Sequence, residues 1–555
     1  MQRRAAGGGS PGCVILLKIF PSLIACSGLA VIALASAHAA ELREQIDREI
    51  AAIAGGPLAA RADDAEFLRR VWLDLAGGIP TSTEARAFLE DTAADKRAKL
   101  IERLLAGEDW PRRAEQAVSV MLLERRTGGK VPDAAWRDWL RGKFAANRPW
   151  DEIVRELLVF SGDPKSAATA KFLADGEKFD HDRATQDIAR LFLGMNVQCA
   201  QCHDHPTIDA FTQADYAGIA AFLRSTALVE DKKAKAQVLA DTPPAEATME
   251  FKSVFKKASH RTGPRVPGGA EVVVTVFAKG DEFATPAADG APGVPKFLAR
   301  PLLARELTAP ENARFARNAV NRFWHLFMGR GLVHPLDQMH EANPASHAVL
   351  LDAMAREFAA HAYDVRWLVR EIVLSDAYQR SSRGPAAPEA SYRRANVRGL
   401  SAEQVAAALL RATGAMETVR AAPVGKFDVK KYVNALGAEP PSGLDATLAL
   451  FSATFGNPPG EPEVEFTPGA AQTLFLANER LVLDWLKPFA SRLAKLESPD
   501  ALGDELYLSI LTRRPTGPER EEIAAHLAKN NDHREVALGE LAWAFIASAE
   551  FRLNH

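Results

Sequence analysis

Cys199, Cys202 and His203 are the residues of this chain whose types and spacing specify a chemistry. In the run Cys199-Ala200-Gln201-Cys202-His203 two thiols stand about one helical turn apart, where they can add to the two vinyl groups of one porphyrin. His203 follows directly and offers an imidazole nitrogen to the iron, so the run is the attachment signature of c-type haem. The expected roles are thioether anchors for Cys199 and Cys202 and axial iron ligand for His203. Met195 and His205 flank the motif, but His203 already takes one face of the ring and the same short segment cannot pass round to the other. A sixth ligand then comes from farther away, with Met249, His260 and His325 as candidates, or the iron is five-coordinate. An open position would suit small-ligand or peroxide chemistry; a filled one would suit electron transfer.

Two other uses of the same residues stay open. Cys199, Cys202, His203 and His205 are too close in sequence to close a tetrahedron around zinc by themselves, so a zinc site would draw on His181 or Asp182. A local disulfide or an idle dithiol is the other, whereas a thioredoxin-type site is disfavoured because no βαβ pattern surrounds the pair. A second constellation comprises His325, His334, Asp337, His340, Glu341 and His347, mostly in a Gly- and Pro-rich loop. It reads as a divalent-metal or acid–base site of a hydrolase, or, more plainly, as loop residues with His347 packing a helix start after Ser346. Asn321-Arg322 and Tyr363-Asp364 read as helix-positioning pairs, and Phe323, Trp324 and Phe327 as core. No P-loop, nucleophile elbow or dinucleotide fingerprint occurs.

The elements that must position these residues are mainly helices. Hydrophobic residues make up 47% and charged residues 25% of 555, an ordinary globular balance long enough for two or three cores. A net charge of -3 without a basic stripe argues against a nucleic-acid partner. Residues 1–39 read as a signal peptide: Arg3 and Arg4, an apolar run from Val14 to Ala35, then Ala37-His38-Ala39 before cleavage. A retained anchor, or lipidation at the box Leu23-Ile24-Ala25-Cys26, are the alternatives, and only through these would the protein meet a membrane. Cleavage removes Cys13 and Cys26 and leaves two of the 4 cysteines, too few for a disulfide scaffold. Helical periodicity is expected for Glu41 to Ala54, around Phe67 to Leu75, after a Thr81 cap, and from Ile188 into Cys199. After about Lys232, Met249, Phe251 and Val254 alternate as a strand and Val272 to Phe277 is a β-branched run, with Ala284 to Pro295 as linker. Helices resume near Phe297, with a looser stretch from Pro423 to Pro468.

Longer motifs carry a family likeness. Asp64-Ala65-Glu66-Phe67-Leu68-Arg69-Arg70, Leu73-Asp74-Leu75-Ala76-Gly77-Gly78-Ile79-Pro80-Thr81, Asp95-Lys96-Arg97 and the haem run continued by Asp204-His205-Pro206 resemble the planctomycete cytochrome-c-like domain of unknown function. Asn321-Arg322-Phe323-Trp324, Gly329-Arg330-Gly331-Leu332, Ser346-His347, Tyr363-Asp364-Val365, Leu374-Ser375-Asp376-Ala377-Tyr378, Leu400-Ser401-Ala402-Glu403-Gln404 and Ser548-Ala549-Glu550-Phe551 are similar to its usual companion domain. The resemblance implies export and a neighbouring, sulfatase-like exported protein, but no assigned activity. Thr207-Ile208-Asp209 depart from the aromatic and acid that commonly follow the motif.

The expectation is therefore a mainly α protein of two helical domains, residues 40–231 and 296–555, around a β-containing insertion at 232–295. It would carry haem c in the periplasm or cell envelope, for electron transfer with a redox partner or for redox sensing. A non-haem envelope binding or assembly protein linked to polysaccharide use, and a metal-dependent hydrolase, are the competing readings.

Overall fold

The computed structural model describes residues 42–555 except 128–130, 160–167, 174–178, 234, 256–257, 424, 426, 435–438 and 463–468. The expected signal peptide, with Cys13 and Cys26, lies outside the described residues. The fold is mainly helical, with small two-stranded antiparallel pairings concentrated between the two helical regions. Among the described residues no helix is long and apolar enough to cross a membrane.

The first helices form where spacing and caps predict them. Residues 42–53 are helical. Helix Asp64–Ala76 starts at an Asp63 cap, whose carboxylate accepts from the Glu66 N–H, and stops at Gly77 with φ 76°. Thr81 and Glu84 close a capping box on helix Ser82–Glu90. Helix His181–Leu193 ends on Gly194 and delivers the chain to the cysteine motif.

The β-segment differs in detail from the sequence expectation. The chain turns to strand already at Thr226, where Thr226–Asp231 pairs with Ala236–Asp241. Met249–Lys252 pairs with Ser259–Thr262, as alternation suggested, and Phe283–Thr285 with Val294–Pro295 inside the stretch read as linker. Val272 to Phe277 is no strand: the Val272 N–H donates to the Pro264 carbonyl at 2.7 Å, but no ladder forms along the run among the described residues, and Val273 and Val276 are exposed. β-Branched side chains favour a pleated, half-buried surface but do not create one without a neighbouring ladder.

Two apolar cores follow. One gathers buried residues from Leu42 to Tyr392 together with Leu508, so helices Ala299–Leu307, Ala313–Met328, Ala348–Ala360 and Val365–Leu374 share it with the cysteine-bearing region. The other runs from Leu400 to Phe551 and also takes in Leu73 and Ile79. Helix Asp64–Ala76 therefore feeds both, giving Phe67, Leu68, Val71, Trp72 and Leu75 to the first core and Leu73 to the second.

That helix also buries charge. Arg69 donates to the carbonyls of Ile510, Glu550, Phe551 and Leu553 at 3.3, 3.2, 2.6 and 3.5 Å. Burial pushes its pKa down to about 10 against the pull of Glu550, which still leaves it fully charged at neutral pH. Arg70 donates to the carbonyls of Tyr378, Arg380 and His555 and to Glu66. Asp74 accepts from the Tyr378 hydroxyl and Arg398 at 2.8 Å and from Asn554 at 2.9 Å. Arg398 and Gly399 meanwhile pair as a short strand with Leu553 and Asn554. Three neighbours thus converge on one buried carboxylate. Asp74→Ala removes the acceptor they share and is expected to cost about 3–5 kcal/mol. Tyr378→Phe removes a single hydroxyl and is expected to cost about 1 kcal/mol; urea denaturation followed by circular dichroism measures both, and equal small losses would contradict the hub.

Candidate functional site

Gly194 begins the site. Its φ of 68° turns the chain out of helix His181–Leu193, and an added Cβ would sit 3.0 Å from both Asn318 Oδ1 and Met339 Cβ. The Asn196 N–H donates to the Asp337 carbonyl and the Met339 N–H to the Gly194 carbonyl, with Met195 bridged to Gln338. The loop of the second constellation is thereby stitched to the approach of the cysteine motif.

Cys199–Gln201 forms one 3-10 turn, with the Cys202 and His203 N–H groups both donating to the Cys199 carbonyl. Ala200 is buried beneath it, which turns both thiols outward; they are free and exposed. The turn is held from three sides. Gln186 donates to the Gln201 side chain, Gln213 to the Gln201 and Lys252 carbonyls, and the Val254 N–H to the Cys202 carbonyl. Asp204 accepts from the Gln213 N–H at the start of helix Gln213–Leu223.

The two histidines of the motif are oppositely wired. His203 Nδ1 lies 2.7 Å from the Asp204 carbonyl oxygen. A carbonyl only accepts, so Nδ1 carries the proton and Nε2 of the neutral ring presents a lone pair, the arrangement metal-bound histidines use. His205 Nδ1 faces the N–H groups of Thr207 and Ile208 at 3.3 and 3.1 Å and must accept, which places the proton of its neutral ring on Nε2. His203 is therefore the ligand-ready imidazole, and His205 is spent on its own turn. The His203 ring lies 4.9 Å from that of Phe255, which is 79% exposed beside an exposed Val254. An apolar surface thus adjoins the two thiols.

Of the candidate sixth ligands, Met249 and His260 sit on the two strands of the adjacent hairpin, with His260 stacked on Phe251, and His325 lies elsewhere; the flanking Met195, not expected to reach the far face, is buried core. His181 packs edge-on against Phe179, and Asp182 accepts a short hydrogen bond from the Tyr216 hydroxyl. Burial, then Asp182 and Asp180, and finally Cys202 hold Tyr216 protonated well above the usual phenol range. Neither sequence periodicity nor spacing pointed to Tyr216 or Phe255, which reach the motif from other elements.

The second constellation divides in space. His340 comes to the cysteine side: the Phe211 ring stands edge-on between it, at 5.5 Å, and His205, at 6.0 Å. Burial, His205 and Arg314 all lower its pKa. His325 and His334 stack on each other at 6.2 Å elsewhere, lining a cavity to which no residue of 199–205 contributes. His347 is buried against Tyr392 with Nδ1 3.1 Å from Ser346 Oγ, at the start of helix Ala348–Ala360. Among the described residues no group of three or more His, Cys, Asp or Glu is placed to hold a metal ion. Asn321 exchanges both hydrogen bonds with the Val333 backbone, Arg322 donates to the Arg190 carbonyl rather than to a carboxylate, and Asp364 caps helix Val365–Leu374. These are structural positions. Phe323, Trp324 and Phe327 are buried core.

Residues 45–227 match the family PSCyt2, described as a protein of unknown function (DUF1549), and residues 299–527 match PSD1, likewise a protein of unknown function (DUF1553). No curated protein and no solved structure matches the chain.

His325 is held neutral, its pKa pushed down to about 3 by burial first and then by His334, Arg398, Arg322 and Arg330. Its ordinary value is 6.5, so between that pH and about 3 the unfolded chain binds a proton that the folded chain refuses. Stability contributed at neutral pH is therefore lost as pH falls through this window, by up to about 1.4 kcal/mol per pH unit from this residue. His325→Gln is expected to flatten the pH dependence of the urea midpoint between pH 6 and 5 by that share; an unchanged slope would contradict it.

Proposed function

We propose that this chain, which belongs to the PSCyt2 and PSD1 families in that order, is an exported c-type haem protein of the cell envelope serving electron transfer or redox sensing. One observation carries the reading. Two unbonded, exposed thiols project from a single 3-10 turn beside an imidazole whose Nδ1 is tied to a carbonyl and whose Nε2 is open. The donor set fits the group: Cys199 and Cys202 would form the thioethers and His203 would take the iron. When bound, the iron porphyrin supplies one-electron redox chemistry.

The remaining work belongs to this chain's own residues. Ala200 and the Gln186, Gln201 and Gln213 contacts keep the turn rigid, so the thiols keep their spacing. Asp204 orients the His203 ring through its carbonyl and anchors to helix Gln213–Leu223 through its side chain. Phe255 and Val254 offer exposed apolar surface on which a flat, apolar ligand held by the thiols could rest. The haem reading also accounts for the expected signal peptide, because it requires these thiols to be presented outside the cytoplasm.

The test is a pyridine haemochrome spectrum of the full chain produced with its N-terminus in a host carrying a cytochrome c maturation system. The expected result is about one covalent haem per chain. Cys199→Ala with Cys202→Ala abolishes it while moving stability by no more than about 0.5 kcal/mol, since both thiols are exposed. His203→Ala severely lowers haem content and His205→Ala leaves it near normal. Folded, exported protein without covalent haem would overturn the reading and favour a non-haem envelope binding protein.

A further inference from the structure

A cavity of about 510 Å³ opens where the two cores meet, far from any use in the haem reading. Its walls come from helix Asp109–Leu123, the end of helix Ala313–Met328 and its following loop, the segment 397–404, and Asn554 near the chain end. Arg113, Arg330, Arg398, His325 and His334 all line it, against one carboxylate among the described residues of the wall, Glu389. That carboxylate is 68% exposed and stands 3.6 Å from Arg330.

The arginines are unequally satisfied. Arg398 is paired with Asp74 and bonded to the Leu326 carbonyl, yet its Nε has no partner. Arg113 makes no hydrogen bond or ion pair among the described residues. The carboxylates that bear on it, Asp74 and Glu403, are already engaged by Arg398 and by Arg125. Two further buried polar atoms on the same wall are orphaned, His325 Nδ1 and Asn554 Oδ1. A guanidinium stays charged under all ordinary conditions, and an unmet donor in such a place costs free energy. Orphaned atoms gathered on one cavity wall point to a missing partner.

We infer that this cavity binds a small organic anion, a carboxylate, sulfate or phosphate carried on a hydroxylated body. The oxyanion would accept from Arg113 and from Arg398 Nε, with Arg330 at the rim. A ligand hydroxyl would donate to Asn554 Oδ1. The volume lies within the range of small-molecule sites, roughly 300–1,000 Å³, and is larger than a bare ion needs. Two features keep the cavity open. Gly329 lines it with φ 78°, and a Cβ there would lie 2.9 Å from the Arg398 side chain. Helix Ala402–Thr413 also begins at the wall, its first turn closed by the Ser401–Gln404 capping box. Because both cores contribute walls, a bound anion would clamp them together.

The experiment is thermal unfolding of the full chain at low ionic strength with gluconate, inorganic sulfate or inorganic phosphate. Sodium chloride at matched ionic strength and neutral glucose serve as controls. At least one oxyanion is expected to raise Tm saturably beyond the chloride control, and which one responds names the anion class. Arg113→Gln is expected to leave the anion-free Tm unchanged or higher and to weaken the response about tenfold or more. Arg330→Ala, at the rim, should weaken it severalfold and serves if the first variant does not fold. No response beyond chloride, or a full response in the variants, would overturn the proposal.

Discussion

The buried ionic seam of helix Asp64–Ala76 is the constraint on which the rest of this molecule depends. Arg69, Arg70 and Asp74 point to different partners, yet all three reach chain distant in sequence: 378–380, 398, and the stretch from Ile510 to the C-terminus. Buried guanidinium groups are tolerated only where acceptors surround them, and here most acceptors are backbone carbonyls at ends of elements. Each bond therefore fixes where an element stops as well as where it lies. Gln404 adds a contact of the same kind, donating to the Leu73 carbonyl at 2.8 Å. One helix in this way sets the relative position of two cores.

The arrangement of the cores explains what surrounds the cysteine motif. Helices 299–374 pack into the same apolar body as helix His181–Leu193, so the loop after helix Ala313–Met328 has to cross the chain leaving Gly194. His340 reaches the Phe211 and His205 rings for that reason. The same crossing leaves His325 and His334 on the far end of their helix and loop, facing the second core across an arginine-rich cavity. A cluster that looks continuous along the chain is thus pulled apart, with His347 at a third place, buried against Tyr392.

Much of the helical architecture was legible. Apolar residues at helical spacing around Phe67 and Leu75 became core, and Thr81 with Glu84 closed the cap that their spacing implies. The β-branched run at Val272 was misleading because strand propensity is realised only by pairing, and among the described residues no strand pairs with it. The polar residues of helix Asp64–Ala76 were legible as a motif but not as buried. An amphipathic reading leaves Arg69 and Arg70 facing water, whereas a second layer of chain covers them.

By itself the sequence determined the chemistry within short reach: two thiols one turn apart, an adjacent imidazole, and the caps and periodicities that make helices, all set by bonds between neighbours in the chain. Tertiary structure alone decided which histidine arrives from the second half and that Arg113 faces a cavity without an acceptor. Those outcomes depend on hydrogen bonds and burial between elements hundreds of residues apart, and no local pattern encodes which surfaces will meet.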